Sequence, residues 1–121
     1  MDSIYSVLGG EAGLDRLVTS MYRRILGDPE LRPFFDGLDM PGQHAKFRAF
    51  LQTVTGAPAQ RSGIELRAAH SKSVENGLTA QHFDAFVRHF EAALRDTSAE
   101  DDVIRTVIDR IEAARADVLG L

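Results

Sequence analysis

Four imidazoles are the side chains of this 121-residue chain best suited to meet a metal: His44, His70, His82 and His89. None of them shares the HExxH or HxxxH spacing that turns two rings toward one ion from a single helix. A multi-histidine zinc site is therefore not expected. The chain has no cysteine, which removes thiolate zinc sites, iron–sulfur clusters, disulfides and cysteine nucleophiles together. No GxSxG elbow or P-loop occurs, and Gly9-Gly10 lacks the lysine and the preceding strand of a phosphate cradle. Nucleophilic and phosphoryl chemistry are without support, so any reactivity must come from other residues or from a cofactor.

One imidazole is enough for haem, because the porphyrin supplies four ligands and the protein needs to add only an axial nitrogen. His70 suits that role best: it follows Ala68-Ala69, small enough for a flat ring to approach, and lies four residues from Leu66 on an apolar face. Spacing alone also allows a core histidine bonded to a backbone carbonyl, the commoner fate of a lone imidazole. Tyr22 lies in an apolar stripe, so its hydroxyl needs a partner, either a bound ligand or water at a rim. Phe34 and Phe35 are adjacent and must diverge, one toward the core and one toward something flat. Gln43, Lys46, Phe47 and Phe50 share a helical sector that is apolar in the middle and polar at one end. That surface suits a haem pocket, and equally a helix-packing edge. His44 falls about 60° from the centre of the sector at 100° per residue and ranks below Lys46 as a pocket residue.

Helical spacing recurs almost everywhere and no sustained alternation suggests a strand, so an all-α fold is expected. From Glu11, Leu14, Leu17, Val18, Met21, Tyr22, Ile25 and Leu26 line one face until Gly27. Asp28-Pro29 reads as a cap and first turn for a short piece carrying Leu31, Phe34 and Phe35, closed by Gly37. A helix from about Asp39-Met40-Pro41 carries Phe47, Phe50, Leu51 and Val54 and stops at Gly56-Ala57-Pro58. Ile64 to about Val74 is a shorter helical stretch with Leu66 and His70 on its inner face, ended by Asn76-Gly77. Thr79 caps a helix bearing Phe83, Phe86, Val87, Phe90 and Leu94. Thr97 with Glu100 three residues on resembles a capping box for a last helix burying Ile104, Val107, Ile108, Ile111 and Val118. The pattern predicts three long helices, one of middle length and short connectors around one core, a single domain over residues 1–121.

A formal charge of −4, with 14 Lys and Arg scattered among 18 acids, argues against nucleic acid and anionic membranes as partners. Runs such as Glu100-Asp101-Asp102 and Arg23-Arg24 read as solvated faces. No stretch approaches the roughly 20 apolar residues of a membrane span, and the polar start Met1-Asp2-Ser3 does not read as a signal peptide. A cytoplasmic monomer is expected.

In order along nearly the whole chain come Ile4-Tyr5 to Leu8-Gly9-Gly10, Met21-Tyr22 with Ile25-Leu26, Leu31-Arg32-Pro33-Phe34-Phe35, and Asp39-Met40. Phe50-Leu51, Gly56, Gly63, Leu66-Arg67, Ala69-His70, Gly77-Leu78-Thr79 and His82-Phe83-Asp84 follow. This ordered set resembles the truncated haemoglobin family, group I in particular. The resemblance implies a two-over-two helical sandwich holding non-covalent haem b between the Gln43–Val54 helix and the segment of His70, the proximal iron ligand. It casts Tyr22 as the distal hydroxyl, Phe35 as an aromatic against the ring, and Gln43, Lys46 and Phe47 as residues around the sixth coordination position; Phe50 and Leu66 complete the pocket.

The implied activity is reversible binding of oxygen, carbon monoxide or nitric oxide, with oxygen transport and nitric oxide oxidation within the family's range and a reductase as redox partner. Two alternatives stand beside it. One is a six-coordinate electron-transfer protein with the Lys46 amine on the iron, and the other a haem-free helical interaction module. Lys46 could instead stay charged and pair with a haem propionate, which its usual chemistry favours. Phe47 replaces a glutamine of many relatives, which thins the polar distal network; Ala57 replaces a glycine, and the stretch from His70 to Gly77 is one residue short. Ala114-Arg115 stands where a few relatives carry a histidine bonded covalently to haem, so no such link is expected.

Overall fold

The computed structural model describes residues 4–55, 77–97 and 99–119, and every regular element among them is helical. The helices are α1 (Ile4–Val7), α2 (Gly10–Leu26), a 3-10 turn (Arg32–Phe35), α3 (Met40–Val54), α4 (Ala80–Arg95), α5 (Asp101–Glu112) and α6 (Arg115–Leu119). The expected helix over 64–74, with Leu66 and His70, and the loop through Gly56, Ala57 and Gly63 lie outside the described residues.

Packing follows the apolar periodicity. In α2, Leu14, Leu17, Val18, Met21, Tyr22 and Ile25 are buried, and this stripe meets both α3 and α4. In α4, Phe83, Ala85, Val87, Phe90, Ala93 and Leu94 are buried; in α5, Ile104, Val107 and Ile111. The pair α2/α3 thus lies against the pair α4/α5, with α3 also touching α5. Burying a ring such as Phe90, fully inaccessible here, contributes about 1.5–3 kcal/mol.

Three local details depart from the sequence pattern or extend it. First, α1 was not evident from periodicity, being four residues long. It is held by α2: a Cβ built on Gly13 would lie 1.8 Å from the Leu8 carbonyl oxygen, so only glycine lets the two segments meet. Second, Thr97 does not open α5. Its hydroxyl donates to the Leu94 carbonyl at 2.6 Å and accepts from the Ala99 amide at 3.3 Å, so it closes α4, and Glu100 holds the cap position of α5. A hydroxyl between two helices can serve either end, and the Leu94 carbonyl, which also accepts from the Thr97 amide at 3.0 Å, lies within its reach. Third, the last helix breaks after Glu112 at Ala113-Ala114. Beyond the break Arg115 bonds Glu112 at 3.0 Å and Asp84, and lies 4.6 Å from the Phe83 ring centroid. Those carboxylates push its pKa up.

The C-terminal end of α3 is held by neighbours. The Arg110 guanidinium donates to the Val54 carbonyl, the Tyr5 amide donates to Thr55 O at 3.0 Å, and the buried Thr55 hydroxyl donates to Leu51 O at 2.6 Å. These bonds satisfy carbonyls that a helix end leaves open. At the other flank Arg48 reaches Asp15 at 3.1 Å and Glu11 at 3.7 Å, tying α3 to α2.

Candidate functional site

Tyr22 stands at the centre of an aromatic group built by four elements. Its side chain is 5% exposed, and burial pushes its phenol up to about 12. The hydroxyl donates no hydrogen bond to another described residue. Phe35, from the 3-10 turn, meets the phenol edge-on at 5.6 Å between centroids. Phe47, from α3, does the same at 6.3 Å. His44, also from α3, lies over the ring at 4.9 Å with 25° between planes.

Phe47 links this group to α4. It lies 5.8 Å from Phe50, 5.5 Å from Phe86 and 5.8 Å from Phe90. Phe35, Met40, Phe47, Phe50, Leu78 and Phe86 are only half-buried, packed on the core by one side. Among the described residues they form an apolar wall with a phenol set into it.

The turn that delivers Phe35 is organised by Asp28. Its carboxylate accepts from the Glu30 amide at 2.9 Å, and its carbonyl accepts from the Leu31 and Arg32 amides at 3.1 and 2.9 Å. The other carboxylate oxygen lies 2.8 Å from His89 Nε2, and these bonds hold the carboxyl pKa below its ordinary value, the His89 bond most. His82 is equally committed: the Thr79 amide donates to its Nδ1 at 3.1 Å, so the expected Thr79 cap is a capping box with histidine in the reciprocal place. Phe34 diverges from Phe35, as adjacency requires, and meets His82 at 5.0 Å.

Of the sequence-selected residues, Tyr22, Phe35, Phe47 and Phe50 come together. Gln43 is half-buried on the same helix, Lys46 is exposed, and Leu66 and His70 lie outside the described residues. His44, ranked below Lys46 from spacing, is half-buried on the phenol. The signal was present in the spacing: 44, 47, 51 and 54 form one stripe ending at the buried Leu51 and Val54. Among the described residues no group of three or more His, Cys, Asp or Glu gathers around a common point. A metal held by protein ligands alone therefore has no candidate there.

A profile of bacterial-like globins matches residues 3–119. The chain is 35% identical to the group 1 truncated hemoglobin GlbN of Synechocystis, over 99% of both chains. The chain belongs to the bacterial-like globins, among the group 1 truncated haemoglobins. The Tetrahymena pyriformis group 1 truncated hemoglobin is 32% identical, the match covering 98% of this globin and 95% of that protein. In three dimensions the globin is similar to the crystal structure of the 2/2 hemoglobin from a Synechococcus species, in the cyanomet state and with covalently attached heme. The TM-score is 0.92 and the identity 33%, over 99% of this chain and 100% of that one. The Tetrahymena pyriformis truncated hemoglobin in its Fe(III) form follows at a TM-score of 0.86 and 31% identity, over 98% of each chain. The fold is the two-over-two helical sandwich, with α2/α3 and α4/α5 as its layers.

Proposed function

We propose that residues 1–121 form one domain that would hold haem b without a covalent link, with His70 as the protein ligand to the iron, and would reversibly bind oxygen or a related diatomic. Oxidation of nitric oxide is included in that range. The observation that carries the reading is the half-buried wall of Phe35, Met40, Phe47, Phe50 and Phe86 around Tyr22. A flat apolar macrocycle matches such a wall, which offers ring faces and few polar groups. Haem, when bound, supplies the iron and its ligand and redox chemistry.

The residues of the chain then do the rest. Tyr22, whose hydroxyl donates to no described residue, can donate to a ligand molecule, since a phenol keeps its proton at neutral pH and burial only raises its pKa further. A hydrogen bond to a partly charged acceptor slows release. Phe47 and Phe50 exclude water from the same side. Lys46 is exposed, which keeps its ammonium solvated and favours a propionate partner over the iron. Support for His70 comes from the engagement of two other histidines, His82 with Thr79 and His89 with Asp28. Ala114 and Arg115 stand where a covalent link would need a histidine, which favours a non-covalent haem.

Absorption spectra of the haem-reconstituted chain, with and without carbon monoxide, test the reading. A Soret band that shifts with carbon monoxide is expected, and His70→Ala should lose haem on a desalting column while keeping its helical circular dichroism. A variant that retains haem with the native ferrous spectrum would remove His70 as the ligand.

A further inference from the structure

We propose that His44 is a positioning residue for Tyr22: the stacked imidazole fixes the plane of the phenol and thereby the direction in which its hydroxyl donates. The role belongs to the flat face of the ring and uses neither nitrogen. Its consequence for ligand retention rests on the function proposed above, whereas its effect on the Tyr22 ring does not.

The argument begins with what a phenol leaves undetermined. The ring torsion of tyrosine is broad and two-fold, and the hydroxyl oxygen lies on the rotation axis, so turning the ring does not move that oxygen. It does move the hydrogen, because conjugation keeps the O–H bond close to the ring plane. The plane therefore selects the donation direction. No described residue sets it at the hydroxyl, since Tyr22 donates to none of them.

Packing must then fix the plane. Phe35 and Phe47 both stand near perpendicular to the phenol, at 77° and 74°. Neither presents a parallel face to the phenol. His44 is different: at 4.9 Å and 25° it lies along the ring face, and any large rotation of the phenol would drive an edge into the imidazole. His44 itself donates no hydrogen bond to a described residue, and it is half-buried rather than solvated. The helix that carries it is tied to α2 by Arg48 on Asp15 at 3.1 Å, so the stack joins two fixed elements. Offset stacked rings gain energy beyond their buried area.

The test uses the full-length, haem-loaded protein in its carbon monoxide form with isotope-labelled tyrosine, read by nuclear magnetic resonance. Tyr22 should show separate signals for the two sides of its ring in wild type and in His44→Phe, which keeps a flat face without nitrogens. The signals should merge in His44→Ala and in His44→Leu, the latter keeping apolar bulk without flatness. Oxygen dissociation should quicken about threefold or more in the Ala and Leu variants, part of the roughly tenfold expected from deleting the hydroxyl, and stay near wild type in His44→Phe. If His44→Phe behaves like His44→Ala, a ring nitrogen acts and the proposal is overturned. Unchanged Tyr22 signals in both Ala and Leu variants would overturn it as well. Tyr22→Phe run alongside separates the two readings: should it leave dissociation unchanged, the ligand role of Tyr22 fails, while the ring signals still decide the role of His44.

Discussion

Replacing Tyr22 by phenylalanine removes the hydroxyl of a buried ring and keeps the ring contacts with Phe35, His44 and Phe47. Burial raises the Tyr22 pKa from 10.0 to about 12. Each unit corresponds to about 1.4 kcal/mol between protonation states, so the shift amounts to roughly 3 kcal/mol. The folded chain holds this proton more tightly than the unfolded chain. The associated stability is thus complete below the unfolded value near pH 10 and is lost as pH climbs toward the folded value near pH 12. Urea unfolding of wild type and Tyr22→Phe at steps from about pH 8 to about pH 12 measures it. All other groups are the same in both proteins, so the difference between the two curves isolates Tyr22. The variant should match wild type near pH 8, since the hydroxyl donates to no described residue, and should exceed it by about 2–3 kcal/mol near pH 12. In the haem-loaded protein the same variant should release oxygen about tenfold faster, the worth of a hydrogen bond to a partly charged acceptor. Parallel stability curves would refute the desolvated phenol, and an unchanged release rate its role toward the ligand.

Lys46→Ala should leave the pH titration of the ferric spectrum unchanged, as expected of an exposed ammonium; conversion of a low-spin, alkaline-favoured form to a high-spin one would instead put the amine on the iron. Asp28 has its pKa lowered first by His89 and then by the Glu30 amide, so its stabilisation is present above the unfolded value of about 3.9 and lost as pH falls through the lower folded value. Asp28→Asn should therefore flatten the acid limb of the stability profile as pH falls below the unfolded carboxylate value, and superimposable limbs would count against the pair. Gly13→Ala should lower the melting temperature, because a Cβ at 1.8 Å from the Leu8 carbonyl forces α1 away at about 1–3 kcal/mol. That outweighs the gain of about 1 kcal/mol in helix propensity; a higher melting temperature would show the contact to be loose.

Much of the architecture was legible from spacing alone. The stripe from Leu14 to Ile25, the stop at Gly27, the start near Met40 and the Thr79 cap all appear where the pattern predicts them. The reason is local: a helix period and a capping residue act within one or two turns, so neighbouring residues are sufficient to set them. Tyr22 and the Phe47–Phe50 sector were legible in the same way. What spacing could not decide is which flank of a helix a neighbour covers. Taking Phe47 as the inward direction of α3, His44 lies about 60° to one side and Lys46 about 100° to the other. The sector judged from Gln43, Lys46 and Phe50 leaned toward the lysine. Packing of α3 on α2 covers the His44 flank and leaves Lys46 in water. The pairing of His89 with Asp28 has the same origin, since 61 residues separate the partners and only the packing of α4 against α2 brings them within reach. The sequence determined which residues line each helix; the crossing of the helices determined which of them meet.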